Sequence, residues 1–110
     1  MALPRNLKIP TKDFKKLAKG AKYSFGWFGL KVMGNRGNGL RFAVVVPARV
    51  LKKAVARNKI RRQIQAVLAQ AASKSQRNLD VAITIRQAPP AEFKNIKNAV
   101  RSALLKTGAT

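Results

Sequence analysis

Between residues 40 and 86 the spacing of apolar residues changes twice, and few folds accommodate that in so short a chain. LRFAVVV, residues 40–46, is a run of branched and aromatic residues that Pro47 ends, which reads as a strand. From about Ala54 to Ala72 the period is helical, with Ile60, Ile64, Val67, Leu68 and Ala71 on one stripe. Leu51 and Val55 project to the opposite side at ~100° per residue, so the helix is expected to begin near Ala54. LDVAITIR, residues 79–86, then alternates. Val81, Ile83 and Ile85 share one face, and Ala82, Thr84 and Arg86 the other.

The remaining segments fit around this frame. Residues 1–10 read as a basic extended arm closed by Pro10. Thr11 is the expected cap of a short helix with Asp13 in its first turn, an apolar stripe of Phe14, Leu17 and Ala18, and an end at Gly20. SFGWFGLKVM, residues 24–33, reads as a strand, and GNRGNG, residues 34–39, as the turn of a hairpin joining it to residues 40–46. SKSQRN, residues 73–78, is a loop by composition. Pro89 and Pro90 open a last helix with Glu92 in its first turn and Phe93, Ile96, Val100 and Leu104 as its buried stripe. The expected class is α+β: one small domain over residues 1–110, with an about four-stranded sheet covered by three helices in the order αβββαβα.

Charge decides the kind of partner. The 110 residues carry 24 Lys and Arg against 3 acids, a net +21. Self-repulsion of that size opposes compaction, yet 46% of the residues are apolar, too many for a disordered basic tail. A polyanion relieves the repulsion, and nucleic acid gains affinity by releasing its counterions. The charge is densest between Arg49 and Arg62, where seven Lys or Arg occur with no acid. On a helix Arg57 and Arg61 lie one turn apart, as do Asn58 and Arg62, while Ile60 and Ile64 face away. One side suits a core, and the other suits phosphate, which arginine grips with its rigid fork.

Catalysis by the chain itself is poorly supported. It has no histidine and no cysteine, so the usual general base and nucleophiles are missing. Asp13, Asp80 and Glu92 are the only carboxylates. Each sits near the start of a predicted element, where capping, dipole or solvated roles are expected rather than a metal site. GNRGNG lacks the GK[ST] ending of a phosphate-binding loop. The opening MALPRNLKIP has no apolar run long enough for a secretion signal, and no stretch approaches the ~20 apolar residues of a membrane span. A cytoplasmic location without a membrane partner is therefore expected. Composition leaves open a structured-RNA-binding or ribosomal protein and a chromosomal DNA-binding protein.

The stretch Lys53-Ala54-Val55-Ala56-Arg57-Asn58-Lys59-Ile60-Arg61-Arg62 resembles the signature of the protein subunit of bacterial ribonuclease P, usually of the form AV.RN..KR..RE. LKIPTKDF resembles that family's opening, RFAVVVPARVLKKAV its approach to the signature, and LDVAITIRQAPPAEF its late strand, loop and last helix. The resemblance implies a protein that binds a large catalytic RNA and helps it remove the 5′ leader of precursor tRNA. The RNA, with its magnesium, would supply the chemistry, and the protein would hold no cofactor and need no protein partner. The resemblance also implies a left-handed crossover between two parallel strands. It assigns Lys53, Arg57, Asn58, Lys59, Arg61 and Arg62 to the RNA subunit, and Phe14, Lys31, Arg49 and Arg86 to the leader. Lys59 stands where Arg is usual, Gln65-Ala66 replaces the closing Arg-Glu, and Pro47-Ala48-Arg49 stands for Ser-Lys-Lys. Ala18 replaces a second aromatic and Lys31 occupies a position where an aromatic is common, so leader contact is expected to lean on charge. Helical spacing alone fits Phe14 either as core beside Leu17 or as an exposed ring.

Overall fold

LDVAITI occupies the interior of the sheet, with Val81, Ile83 and Ile85 on its core face and Asp80, Ala82 and Thr84 on the other. In the computed structural model, which describes residues 7–37, 39–74 and 77–108, this strand, β4 (Leu79–Ile85), lies between β2 (Phe28–Gly34) and β3 (Arg41–Val45). β1 (Ala21–Ser24) adds on the far side of β2, giving the order β1-β2-β4-β3. β1–β2 and β2–β4 are antiparallel, and β3–β4 is parallel. The helices are α1 (Thr11–Phe14), continued by a 3₁₀ turn over Lys15–Lys19, then α2 (Ala54–Lys74) and α3 (Phe93–Lys106). The element order is the one expected, and α2 makes the crossover between the parallel pair.

The expected hairpin between residues 24–33 and 40–46 does not form, because β4 fills the place between them. Alternation tells which face a side chain takes, not which strand lies beside it. The segment 24–33 is also not one strand. Gly26, with φ 76, turns the chain between β1 and β2, and the Phe25 N–H donates to the Phe28 carbonyl across the turn. Four smaller expectations are corrected. Pro10, not Thr11, holds the cap position of α1. α2 runs two residues into the expected loop, to Lys74. Glu92 is the cap residue of α3 rather than part of its first turn, and it makes no side-chain capping bond. Phe93 stays 40% exposed while Ile96, Val100, Ala103 and Leu104 are buried. Residues 1–6 of the expected arm lie outside the described residues. Its end runs along β3, where Lys8 bridges Phe42 and the Ile9 N–H donates to the Phe42 carbonyl.

One face of the sheet builds the core. Phe28, Leu30 and Val32 of β2, Phe42 of β3, and Val81, Ile83 and Ile85 of β4 pack with Ile64, Val67 and Leu68 of α2 and with Ile96, Val100 and Leu104 of α3. Burying each such side chain is worth about 1.5–3 kcal/mol, so the stripe on α2 holds a helix whose other side is strongly repulsive. The second face carries short side chains in its middle, Gly29, Ala82 and Ala43, and the 3₁₀ turn covers only part of it through buried Leu17. No helix among the described residues is long and apolar enough to cross a membrane.

Candidate nucleic-acid interface

Two cationic surfaces result, one on α2 and one on the uncovered face of the sheet. α2 has no acid in its first turn, so the positive end of the helix dipole and the lysines and arginines reinforce one another. Val55, Asn58, Lys59 and Arg62, spaced by three and four residues, are all exposed, with Val55 at 81%. Lys53 is exposed just before the helix. Arg57 is half-buried, and its Nη1 donates to the Leu51 and Lys52 carbonyls at 2.9 and 2.8 Å. It therefore clamps the turn that delivers the chain into α2. Arg61 is also half-buried rather than fully outward, and its Nη1 donates to Asn58 Oδ1 at 2.8 Å. Four of the six signature residues, Lys53, Asn58, Lys59 and Arg62, are thus exposed, and of the half-buried pair Arg57 also has an internal task.

The sheet surface follows from register. On the face away from the core, Lys22 of β1 stands opposite Lys31 of β2, in line with Ala82 and Ala43. The next row is Ser24, Gly29, Thr84 and Val45. Arg86 follows β4 directly, and its guanidinium reaches back over Gly29 with Nη1 donating to Ser24 Oγ at 3.5 Å. Arg49 enters from the Pro47–Val50 turn. It shares with Arg86 an open groove of about 550 Å³, lined also by Val50, Thr84, Gln87 and Ala88. Arg49 and Arg86 are therefore brought together, and Lys31 lies on the same face. Phe14 is 39% exposed while Leu17 is buried, which separates the two residues that helical spacing alone left equivalent.

The carboxylates have a different task from the one expected. Arg41 is buried at the opposite end of this face from Arg86. Its Nε and Nη2 donate to Asp80 Oδ1 and Oδ2 at 2.8 and 2.9 Å, a two-pronged pair. Nη2 also donates to Asp13 Oδ2 at 3.2 Å. The hydrogen bond to Asp80 raises the Arg41 pKa, its charge and Asp13 add to this, and burial opposes it. Asn35 Nδ2 donates to Asp80 Oδ1 and to the Gly39 carbonyl, so the same cluster holds the 34–39 connection. Asp80 is thus neither solvated nor a cap, and Asp13 fastens α1, with Phe14 beside it, to the sheet. Sequence reasoning missed Arg41, Lys22 and Gly29. A charge at Arg41 and another at Asp80, each inside a strand pattern and off its core face, was the available signal. Lys22 and Gly29 gave none, because Lys22 falls outside every expected element and residues 24–33 read as one strand across the turn at Gly26.

Two of the three acids pair with Arg41, and among the described residues no ion pair reaches Arg57, Lys59, Arg61 or Arg62 of α2, nor Lys22, Lys31, Arg49 or Arg86, which leaves both surfaces suited to a polyanion. A profile of the ribonuclease P family matches residues 3–108. The chain belongs to the ribonuclease P protein family. Solved structures agree. A Staphylococcus aureus RNase P protein mutant with defective mRNA degradation activity matches at TM-score 0.83 and 24% identity, over 93% of this chain and 88% of that one. The RNase P protein from Thermotoga maritima matches at TM-score 0.79 and 18% identity, over 90% and 96%. A further RNase P protein from Staphylococcus aureus matches at TM-score 0.67 and 26% identity, over 97% and 92%. Comparison with curated protein sequences finds no significant match. The ribonuclease P protein assignment replaces the ribosomal and chromosomal alternatives and makes the chain an RNA-binding component of tRNA processing.

Proposed function

We propose that this ribonuclease P protein uses its two cationic surfaces for two RNAs. Lys53, Arg57, Asn58, Lys59, Arg61 and Arg62 contact the RNA subunit. Phe14, Lys31, Arg49 and Arg86 contact the 5′ leader of precursor tRNA. The observation that carries this reading is the separation of the surfaces: α2 packs on the core face, whereas Lys31, Arg86 and the Asp13-anchored α1 belong to the other face. One partner on each side of a single sheet lets the protein bridge them.

The chemistry of cleavage is assigned to the RNA subunit and its magnesium. This chain has no histidine or cysteine, nothing singles out a lysine or Tyr23 as a base, and its donor set does not fit a resident metal, because Asp13 and Asp80 pair with Arg41. The residues here bind and orient. Cationic side chains hold phosphates, and the Phe14 ring stacks on one unpaired base, an interaction worth ~1–3 kcal/mol that tolerates any base. The test compares a precursor carrying a long leader with leaderless tRNA, each bound to holoenzyme made with wild-type or Phe14→Ala protein. The variant should lose about 5- to 150-fold in affinity for the long-leader precursor and almost nothing for leaderless tRNA. Equal losses for both ligands would return Phe14 to a purely structural role.

A further inference from the structure

Arg86 is an exposed arginine whose side chain lies back across the sheet. Its backbone is pinned where it leaves β4, since the Arg86 and Gln87 N–H groups both donate to the Trp27 carbonyl, at 2.8 and 3.2 Å. Its side chain then folds back over β2. A Cβ placed on Gly29 would meet Arg86 Cζ, Nη2 and Nε at 2.7, 2.7 and 3.0 Å. Three guanidinium atoms nearly equidistant from that one point mean that the plane lies flat on the Gly29 backbone, filling the space any side chain would take. Gly29 is buried beneath it while Arg86 remains exposed, so the outer side of the plane faces solvent. One register row away, about 6.7 Å along the strand, Lys22 and Lys31 face each other as like charges, an arrangement that destabilises a bare sheet.

We propose that the Arg86 guanidinium, laid flat on Gly29, is a stacking plane for one unpaired nucleobase, with Lys22 and Lys31 holding the adjoining phosphate. Gly29 is the positioning residue, because only a residue without a Cβ lets the plane lie there. A guanidinium plane stacks on a base as an aromatic ring does and adds a cation–π attraction. The cross-strand lysine pair, costly alone, becomes favourable once a phosphate sits between the two ammonium groups. The inference rests on the leader reading and deepens it by naming the chemistry of one subsite.

The experiment uses reconstituted holoenzyme and precursor tRNA whose leader nucleotides are replaced one at a time by an abasic residue. With wild-type protein, one leader position should show a penalty of about 5- to 150-fold that is assigned to this subsite by its response to two variants. Gly29→Ala keeps every charge but displaces the plane, and Gly29 sits in a strand without positive φ, so the backbone accepts alanine. Arg86→Lys keeps the charge but removes the plane. In both, intact and abasic leaders should bind equally at that position, while the position sensed by Phe14 keeps its penalty. If Gly29→Ala disturbs folding, Arg86→Lys alone decides. A penalty at every position that survives both variants would overturn the stacking plane and leave Arg86 as a diffuse charge. Equal binding of long-leader and leaderless tRNA by wild-type holoenzyme would overturn the leader reading itself, and the subsite with it.

Discussion

Asp80→Ala is the substitution with the largest expected effect for its size. Asp80 is 6% exposed, and it accepts two hydrogen bonds from Arg41 and one from Asn35. Removing it leaves a guanidinium that is itself in the interior, with Arg41 8% exposed, and among the described residues its remaining bond is the one to Asp13 at 3.2 Å. Breaking a buried pair from one side costs about 3–5 kcal/mol, because the remaining charge is stranded. Native domains are stable by only about 5–15 kcal/mol, and each kcal/mol moves the melting temperature of a domain near this size by about 4 °C. The variant should therefore lose about 12–20 °C. Thermal unfolding of the RNA-free protein at fixed salt, followed by the fluorescence of its single tryptophan, Trp27, reads that shift, and urea unfolding gives the loss in kcal/mol. Asp13→Ala should cost less, since Asp13 makes one bond to Arg41 from a side chain that is 18% exposed. Replacing both partners, as Arg41→Met with Asp80→Leu, should recover most of the stability, because an apolar pair avoids the desolvation penalty. A loss below about 1 kcal/mol for Asp80→Ala, or a double variant no better than the single, would refute a buried pair.

Replacing Arg61 and Arg62 together by alanine should weaken binding to the RNA subunit while leaving the domain folded. The substitution loses one hydrogen bond to Asn58 and relieves like-charge repulsion, and a collapse of the melting temperature with unchanged affinity would reverse the two faces of α2. Ile64→Ala is the matched control, because this fully buried side chain should leave a cavity costing about 2–4 kcal/mol in thermal unfolding. Affinity for the RNA subunit should fall by about two to three decades between 50 and 200 mM monovalent salt if roughly 4 to 6 phosphates are contacted. A flat titration would mean that the patch on α2 is not the contact.

Much of this was readable in the chain, and the unread part has physical causes. The start of α2 was legible because Leu51 and Val55 fall off the stripe of Ile60, Ile64 and Val67, and Val55 is indeed left in solvent. The faces of β4 were legible because alternation has a period of two. The neighbour of β2 was not, because faces carry no information about pairing partners separated by a helix. The turn at Gly26 was hidden by the aromatic residues around it. Phe25, Trp27 and Phe28 favour strand locally, whereas one glycine with positive φ decides the geometry. The basic patch was plain from charge alone. The anchoring of α1 by Arg41 was not, since a charge inside each of two strand patterns marks Arg41 and Asp80 as unusual without saying that they meet or that Asp13 joins them.

The position of β4 also sets the order in which the protein becomes competent. Asn35 and Asp80, hydrogen-bonded neighbours in the finished fold, are 45 residues apart in the chain. A ribosome therefore delivers β1, β2, β3 and the highly charged α2 before the strand that joins them exists. Closing so long a loop is entropically costly and slow, and until it closes, β2 and β3 have no partner on their inner edges. When β4 docks, it adds Ala82, Thr84 and Arg86 to one face and Val81, Ile83 and Ile85 to the other. The same event completes the groove of Arg49 and Arg86 and the seat of α2. A nascent or partly unfolded chain is then merely a polycation with neither surface formed, and the two surfaces proposed for RNA come into being together.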